Sequence, residues 1–326
     1  MATPPSKGKN RNNKVFMSSI KTHRIKSTEL AWLLDVMETR QPLTEQSPIW
    51  VKRAIEPVGS PILYERHPYC EISITVESKS MSLVGNEEAL RLPGDLELVG
   101  PGIPHTSRVL SRPQKYIAVY FLPSVLIDMT PTEDGVRALR RFTSKQTQAT
   151  RLIRPPPRMI PGIASLFEQM VSEFEGRKYG REIRLRSLFG ELIVCILRWE
   201  ESNGVSLRDE TPEIDWRAIA KALNYLRNNY SQPVYAEQLA KASGVSEARL
   251  RILFKAATGL SWMKFLQGYR IHRALALLSE PGHNVTEVAL AAGFDSLSHF
   301  NTTFHSFMGV SPQHYLKKPE PDRLKR

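Results

Sequence analysis

Several side chains near the carboxy-terminal end can hydrogen-bond or pack against the edges of nucleotide bases. Arg251 can donate two hydrogen bonds to guanine O6 and N7, and Asn301 can form two with adenine N6 and N7. Ala248, Ile252 and the methyl group of Thr302 can contact thymine methyl groups. A bidentate contact contributes about 1–3 kcal/mol of discrimination between bases. These residue types therefore favour the reading of a duplex in its major groove.

The same side chains occupy equivalent places in two copies of one sequence pattern. The copies span residues 239–261 and 288–311, and each has a glycine at the same place, Gly244 or Gly293. The offset is 49 residues as far as the glycine and 50 beyond it, because Asp295 is one extra turn residue. Each copy predicts a short helix, a glycine turn and a second helix. Two such units in tandem can reach two grooves of one duplex, so sequence-specific binding of double-stranded DNA is the leading interpretation.

Capping residues predict where these helices begin. Ser246 and Ser296 are favourable N-cap residues for the second helix of each unit. Asn284 and Glu287 predict a capping box at the start of the second unit, whereas Tyr235 cannot cap the first unit in this way. The boundaries of both units are thus predicted from local signals alone.

Helical spacing then separates a core face from an outward face. The predicted core positions are Leu250, Leu253, Phe254, Phe300, Phe304 and Phe307. The candidate DNA-contacting residues are Ser246, Ala248, Arg249, Arg251, Ile252, Lys255, Ser296, Ser298, His299, Asn301, Thr302 and His305. Among them, Arg249 and Lys255 suit phosphate contacts that set the register of the protein on the duplex.

A helix predicted over Trp262–Leu278 connects the two units, beginning after Ser261 and ending at Pro281 and Gly282. Its 17 residues give a length of about 26 Å. With the helices that it carries, the two reading helices can lie about 34 Å apart, which is one turn of DNA. That separation suits successive major grooves on one side of the duplex.

The region 214–315 resembles the double helix-turn-helix domain of AraC/XylS-type transcription regulators. The residues that carry the resemblance are Leu239, Ala240, Gly244, Phe254, Gly259, Leu260, Ser261, Arg270, Ala274, Val288, Ala289, Gly293, Phe294, Ser298, His299, Phe300, Phe304, Gly309, Val310, Ser311, Pro312 and Tyr315. The resemblance implies bacterial transcription control, usually activation, with RNA polymerase as a partner. The base-reading positions that it implies are Ala248, Arg251, Ile252, Ser298, Asn301 and Thr302.

The second unit departs from the family pattern in its charge. The predicted recognition helix over residues 296–307 contains no Lys or Arg. We therefore expect the first unit to supply most of the affinity for DNA. His299 and His305 are expected to make binding by the second unit depend on pH.

The amino-terminal half has a different periodicity. Between residues 49 and 122, short stretches such as 70–76 and 115–121 alternate or run apolar between turn residues, which predicts a β-sandwich or small barrel. Helices are predicted over 27–39, 160–174 and 181–201. The last has an apolar stripe that could pack on the barrel or on a second subunit, formed by Leu185, Leu188, Phe189, Leu192, Ile196 and Trp199.

The family resemblance implies a cupin-like sensor domain in this half. Residues 93–95 with 101–105 resemble the second cupin motif, and 67–71 resemble a degenerate first motif. His67, Glu71 and His105 could supply three metal ligands, but Tyr69 stands where a second histidine is expected. We therefore expect no metal and no cofactor. The three residues would instead line a cavity for an unidentified small-molecule effector, or be structural.

Composition limits the remaining classes. The chain has 326 residues, enough for two domains, and 45 basic against 33 acidic residues. Residues 1–26 hold seven basic and no acidic residues, 27–211 hold 23 and 24, and 212–326 hold 15 and 9. The excess in the repeat region suits a phosphate-bearing partner. Cys70 and Cys195 exclude a disulfide framework and favour the cytoplasm. No apolar run reaches the length of a membrane span.

The predicted fold class is α+β multidomain, with a cupin-like β-barrel and flanking helices followed by an all-α domain of two helix-turn-helix units joined by a linker helix. The predicted divisions are a disordered basic tail (1–26), a sensor and dimerisation domain (27–201), a linker (202–212), the DNA-binding domain (213–318) and a tail (319–326). The alternative interpretation of residues 1–26 is a transit peptide, and Met17 is an alternative start. A homodimer is a hypothesis. The competing interpretations are a metal-cupin enzyme and a basic RNA-associated or structural protein, and we expect neither.

Overall fold

A computed structural model describes the chain as an α+β half followed by an all-α half. The described residues are 23–24, 36–38, 43, 47–60, 64–67, 69–129, 133–143, 152–176, 178–203, 214–278, 282 and 284–317. The alternative start at Met17, most of the predicted basic tail, most of the predicted linker and the tail over 319–326 lie outside them. None of the helices found in these ranges has the length and apolar character needed to cross a lipid bilayer.

The strands of the first half form two facing sheets. They are β1 His23–Arg24, β2 Val36–Glu38, β3 Ile49–Glu56, β4 Tyr64–Arg66, β5 Cys70–Glu77, β6 Ser80–Val84, β7 Glu87–Arg91, β8 Leu96–Val99, β9 His105–Val109, β10 Gln114–Phe121 and β11 Leu152–Ile153. One sheet has the order β1-β7-β6-β9-β4-β2 and the other β11-β8-β5-β10-β3. The predicted barrel thus takes the form of two separate sheets over the described strands.

Strand β10 organises the five-stranded sheet, pairing antiparallel with β3 on one side and with β5 on the other. Along β10, Ile117, Val119 and Phe121 point to the face that packs against helices, whereas Tyr116 and Tyr120 point to the opposite face. The facing six-stranded sheet includes β2, which pairs parallel with β4.

Four helices complete the first half. They are α1 Ser124–Met129, α2 Glu133–Thr143, α3 Ile160–Gly176 and α4 Arg181–Ser202. Helix α3 contacts β3, β5 and β10, and α4 packs on α3. The Phe121 ring of β10 lies 4.6 Å from the Phe189 ring of α4, between centroids. The stripe predicted on α4 is therefore buried within the chain, with Trp199 only partly covered.

The second half is helical. Its helices are α5 Trp216–Asn229, α6 Ala236–Ser243, α7 Glu247–Thr258, α8 Trp262–Leu278, α9 Val285–Ala291, α10 Leu297–Met308 and α11 Pro312–Lys317. The predicted connecting helix is confirmed as α8, and the two repeat copies are α6–α7 and α9–α10. The first unit shares one continuous core with the sheet half, whereas the second has a separate core around Phe300 and Phe304.

One predicted helix is wrong where it can be compared. Residues 27–39 were expected to be helical, but residues 36–38 form β2, and the other positions of that range lie outside the described residues. Val36 pairs with Tyr64 across the parallel ladder. Backbone pairing with a distant strand has overridden the local helical periodicity, as tertiary context often does.

Candidate functional site

Helix α7 is positioned by its cap and by its buried face. The Ser246 side chain accepts a hydrogen bond from the Arg249 backbone N–H at 3.3 Å, as expected of an N-cap. Leu250, Leu253 and Phe254 are buried. The candidate contact residues of this unit are all exposed, namely Ser246, Ala248, Arg249, Arg251, Ile252 and Lys255. Ile252 is 60% exposed, so its side chain is accessible to a thymine methyl group.

Helix α10 repeats this arrangement. The Ser296 side chain accepts from the His299 backbone N–H at 3.2 Å, and Asn284 with Glu287 forms the predicted capping box on α9. Ser296, Ser298, Asn301, Thr302 and His305 are exposed, whereas His299 is half-buried. The predicted core face needs one correction. Phe307 is only half-buried, and Thr303 and Met308 complete the buried face, because α10 presents them at the i+3 and i+4 spacing of Phe300 and Phe304.

His299 has a role that the sequence did not indicate. Its Nδ1 lies 3.1 Å from Asp295 Oδ1, and its Nε2 lies 3.4 Å from Nε2 of Gln267 on α8. The hydrogen bond with His299 lowers the pKa of Asp295. The imidazole therefore ties the turn of the second unit to the connecting helix, which limits its freedom to contact bases.

Two arginines fasten the connecting helix α8 to the turn between α5 and the first unit. Arg270 donates from Nε to the Tyr230 carbonyl at 2.7 Å and from a terminal nitrogen to the Gln232 carbonyl at 2.9 Å. Arg273 donates to the Tyr230 hydroxyl at 2.9 Å. Gly293, with φ +91°, lies so close to this turn that an added Cβ would be 2.3 Å from the Tyr230 carbonyl oxygen. Only glycine fits there, so the two units are held in one fixed relation.

The sheet half contacts the far end of each reading helix. Thr143 Oγ1, at the end of α2, donates to the carbonyl oxygen of Thr258, the last residue of α7, at 2.6 Å. In the turn before β9, a Cβ at Gly102 would lie 3.4 Å from the carbonyl oxygen of Phe307 in α10. The Gly102 backbone N–H also donates to the His67 carbonyl at 2.8 Å. The sheet half thus meets α7 through a hydrogen bond and approaches α10 closely at Gly102, whose backbone also contacts His67.

His67, Glu71 and His105, the predicted cavity residues, meet between the sheets. His67 Nε2 and His105 Nε2 lie 3.1 and 3.3 Å from the same oxygen, Glu71 Oε2. Each imidazole has its Nδ1 within 3.0 Å of a backbone carbonyl oxygen, Tyr69 or Ile103. All three side chains are buried, and their ligand atoms lie within 4.8 Å of one another.

The electrostatics of this cluster are dominated by Glu71. Burial by itself raises the pKa of Glu71, but the hydrogen bonds from His105 and His67 outweigh it and lower the pKa well below its ordinary range. Burial lowers the pKa of His105, and the contact with Glu71 outweighs it and raises that pKa to about 9. Tyr69, at the place of a second cupin histidine, stacks on the His67 ring with centroids 4.4 Å apart.

A cavity of about 70 Å³ lies beside the cluster. Its lining residues are Glu56, Glu65, Glu71, Ser73, Arg91, Glu97, His105, Thr106, Ser107, Tyr116 and Tyr120. Only two of them, Glu71 and His105, are among the residues predicted from the sequence. The alternation of polar with apolar residues along β5 and β10 was the available signal, because it marks one face of each strand as polar.

The arrangement of α6–α7 and α9–α10 on one connecting helix is that of a double helix-turn-helix domain. Residues 239–318 match the family model described as a helix-turn-helix domain. Over 116 residues the chain is 32% identical to the uncharacterized HTH-type transcriptional regulator YdeC of Bacillus subtilis, covering 35% of this chain and 40% of that protein. Over 177 residues it is 28% identical to the melibiose operon regulatory protein of Escherichia coli, covering 49% and 58%.

The carboxy-terminal domain is accordingly an AraC-type helix-turn-helix domain. The chain spans about half the length of the curated relatives that it matches. Among solved structures, an apo form of ToxT from Vibrio cholerae aligns over 86% of this chain and 98% of its own, at 12% identity and a TM-score of 0.49.

Proposed function

We propose that this chain is a sequence-specific DNA-binding transcription regulator that reads two adjacent major grooves with α7 and α10. One observation carries the proposal: two capped helices expose base-matching side chains at equivalent positions, and Arg270 and Arg273 fix the helix that connects them. Arg251 suits guanine and Asn301 suits adenine. Two such readers on one rigid support are the geometry that successive half-sites require.

The test is selection of bound duplexes from a random pool by the purified full chain. We expect two short half-sites whose centres lie about 10 bp apart. A folded protein with no preference for any duplex over bulk competitor would contradict the proposal. Parallel competition with RNA distinguishes the alternative of an RNA-associated protein, which would favour the RNA competitor.

We further propose that the regulator responds to a small effector bound between the sheets. The hydrogen bond of Thr143 to Thr258, the close approach of Gly102 to Phe307 and the hydrogen bond of Gly102 to His67 support a coupling between the sheet half and the reading helices. Activation through RNA polymerase, in the cytoplasm, is the outcome that the family resemblance implies. Transcription in vitro from a promoter with the selected site should increase when the protein is added. A decrease would identify a repressor instead.

The proposal includes neither catalysis nor a resident metal. His67, Glu71 and His105 are engaged with one another through hydrogen bonds, and Tyr69 stacks on His67 where a further histidine would be needed. Metal analysis of the purified protein tests this point. Stoichiometric iron, manganese or zinc would revive the metal-cupin alternative.

A homodimer would use the outer face of α4. Its inner stripe is buried within the chain, whereas Ile183 and Val194 are 74% and 41% exposed. Sedimentation of the full chain at micromolar concentration should show a dimer that Ile183→Glu with Val194→Glu dissociates. A monomeric full chain at that concentration would contradict this part of the proposal.

A further inference from the structure

The five-stranded sheet has its apolar face against the helices and its polar face toward the other sheet, the reverse of an ordinary sandwich. In a two-sheet sandwich, the space between the sheets normally holds the apolar core. Here Ile72 and Ile74 of β5 point away from the other sheet, into the core with α3 and α4. Glu71, Ser73 and Thr75 alternate with them and face the interior, where each is at least 94% buried. The interior is therefore a polar compartment, at whose edge Glu56 and Glu65 are only partly buried.

Four carboxylates line this compartment, and two of them lie beside basic side chains. Glu97 accepts from Arg91 at 3.1 Å, and Glu71 contacts His67 and His105. These contacts compensate the cost of burying a charge, which is large for an unpaired ion. The ion pair between Arg91 and Glu97 forms part of the cavity wall.

The other two carboxylates, Glu56 and Glu65, have no basic side chain within ion-pair distance in the described part of the chain. Ser107 Oγ donates to Glu56 at 3.0 Å, which supplies a hydrogen bond but no positive charge. Burial raises the pKa of Glu56 and the carboxylate of Glu65 raises it further, which together outweigh the hydrogen bond from Ser107 and the more distant charges of Lys52 and Arg91. The cavity therefore holds two neighbouring carboxylates, neither of which forms an ion pair with the described residues.

Tyr120 supplies a second, independent sign of a ligand. Its side chain is 2% exposed and lines the cavity, yet its hydroxyl has no hydrogen-bond partner among the described residues. Because the hydroxyl faces the cavity, its oxygen can accept a hydrogen bond from an N–H group of a bound molecule. Burial, with the nearby Glu71 carboxylate, raises the pKa of Tyr120 well above its ordinary value, so the phenol stays neutral.

We propose that this cavity binds a small organic cation, an ammonium or amidinium group, between Glu56, Glu65 and Tyr120. The cation supplies a counter-charge to the two carboxylates, whereas a neutral polyol would leave both without one and an anion would be repelled by them. The rings of Tyr116 and Tyr120 line the same space, and aromatic faces attract cations. A cavity of 70 Å³ is about half the volume that admits benzene, so a small molecule or the head group of a longer amine fits. This inference rests on the proposed effector response and names its ligand class.

Calorimetric titration of the full chain tests the proposal with chosen probes: methylammonium and acetamidinium as cations, glycerol as the neutral probe, acetate as the anion and zinc chloride as the metal. Saturable binding of a cationic probe, with none of acetate or glycerol, is the expected result. Glu65→Gln and Tyr120→Phe should each weaken it, Glu65→Gln by at least about tenfold. Glu77→Gln, which removes an exposed carboxylate on the same strand as Glu71, is the matched control and should leave the affinity unchanged.

Three results would overturn the inference: no cation binding up to about 10 mM, equal binding of glycerol or acetate, or binding of zinc alone. Thermal unfolding of each variant, recorded beside the titration, excludes misfolding as the cause of a lost signal. The duplex selection described above is carried out on the same preparation. Retained duplex preference with no cation binding defeats this inference alone, whereas cation binding without any duplex preference defeats the proposed DNA-reading function.

Discussion

The two helix-turn-helix units share one backbone pattern. They differ in charge, in whether their core is continuous with the sheet half, and in the space around their turn glycines. The first unit exposes Arg251 and Lys255 where the second exposes Asn301 and His305. The core of the first unit is continuous with the sheet half, whereas the second has a core of its own. We infer that the two units contribute differently to DNA binding: the first supplies most of the phosphate affinity, and the second contributes mainly base discrimination.

The largest expected effect compares the two turn glycines. An added Cβ at Gly293 would lie 2.3 Å from the Tyr230 carbonyl oxygen, whereas at Gly244 it would meet nothing within 4 Å. Both residues have positive φ, +91° and +76°. Gly244→Ala should therefore cost only the left-handed strain, about 1–2 kcal/mol, and Gly293→Ala more than about 3 kcal/mol because the backbone must also move. Urea denaturation of both full-length variants measures the difference. Equal losses in the free energy of unfolding would show that Gly293 does not pack closely against the Tyr230 backbone.

The next comparison concerns base reading. Arg251→Ala and Asn301→Ala should each relax selection at one base position and lower specific affinity by about 1–3 kcal/mol. Arg251→Ala should lower non-specific affinity as well, because it also removes a charge. The measurement is duplex selection with competition binding, and Lys221→Ala on the exposed side of α5 is the charge-matched control. If the Arg251→Ala variant selected the same duplexes as the unsubstituted chain, Arg251 would not be a base-reading residue.

A smaller effect separates the equivalent positions 255 and 305. Lys255→Ala should reduce the slope of log affinity against log salt concentration by about one, since one phosphate contact is lost. His305→Ala should leave the slope unchanged at a pH where the imidazole is neutral. Binding measured over a range of salt concentrations checks both. If the two variants changed the slope equally, the proposed difference between the two units would be wrong.

The smallest effect is a pH dependence of stability that begins in the sheet half. The pKa of His105 in the folded chain is raised to about 9, above its ordinary value. The stabilisation is therefore complete only below the ordinary histidine pKa, declines as pH rises above it, and is lost once pH passes about 9. The melting temperature of the sheet half and the first unit should fall together between about pH 6.5 and 9, and fall less in Glu71→Gln. Calorimetry that showed the second unit melting with them would contradict the separation of the two cores.

The helical half could be predicted closely because its signals are local. The caps at Ser246 and Ser296 and the box formed by Asn284 and Glu287 involve residues within one turn of each other. The contacts of Arg270 with Tyr230 and Gln232 span about 40 residues and could not be inferred from spacing, although the resemblance had marked that arginine.

The sheet half was harder to predict because its decisive contacts are distant. Alternation along β5 assigns Glu71 and Ser73 to one face, and the ordinary interpretation of a polar face is solvent. The opposite holds here because α3 and α4 cover the apolar face. Glu56 and Glu65 come from different strands and meet only after the two sheets have assembled. No local pattern marks them as neighbours.

The core that joins the sheets to α7 bears on how the chain responds to cleavage. Residues such as Leu250 and Phe254 belong to the same apolar cluster as Phe121 and Phe189. A protease cut between Asn203 and Ile214 would therefore leave two fragments whose complementary apolar surfaces remain in contact. The fragments should stay associated until denaturant separates them. Supplying the fragments as separate polypeptides should restore one complex, whereas either fragment alone should aggregate.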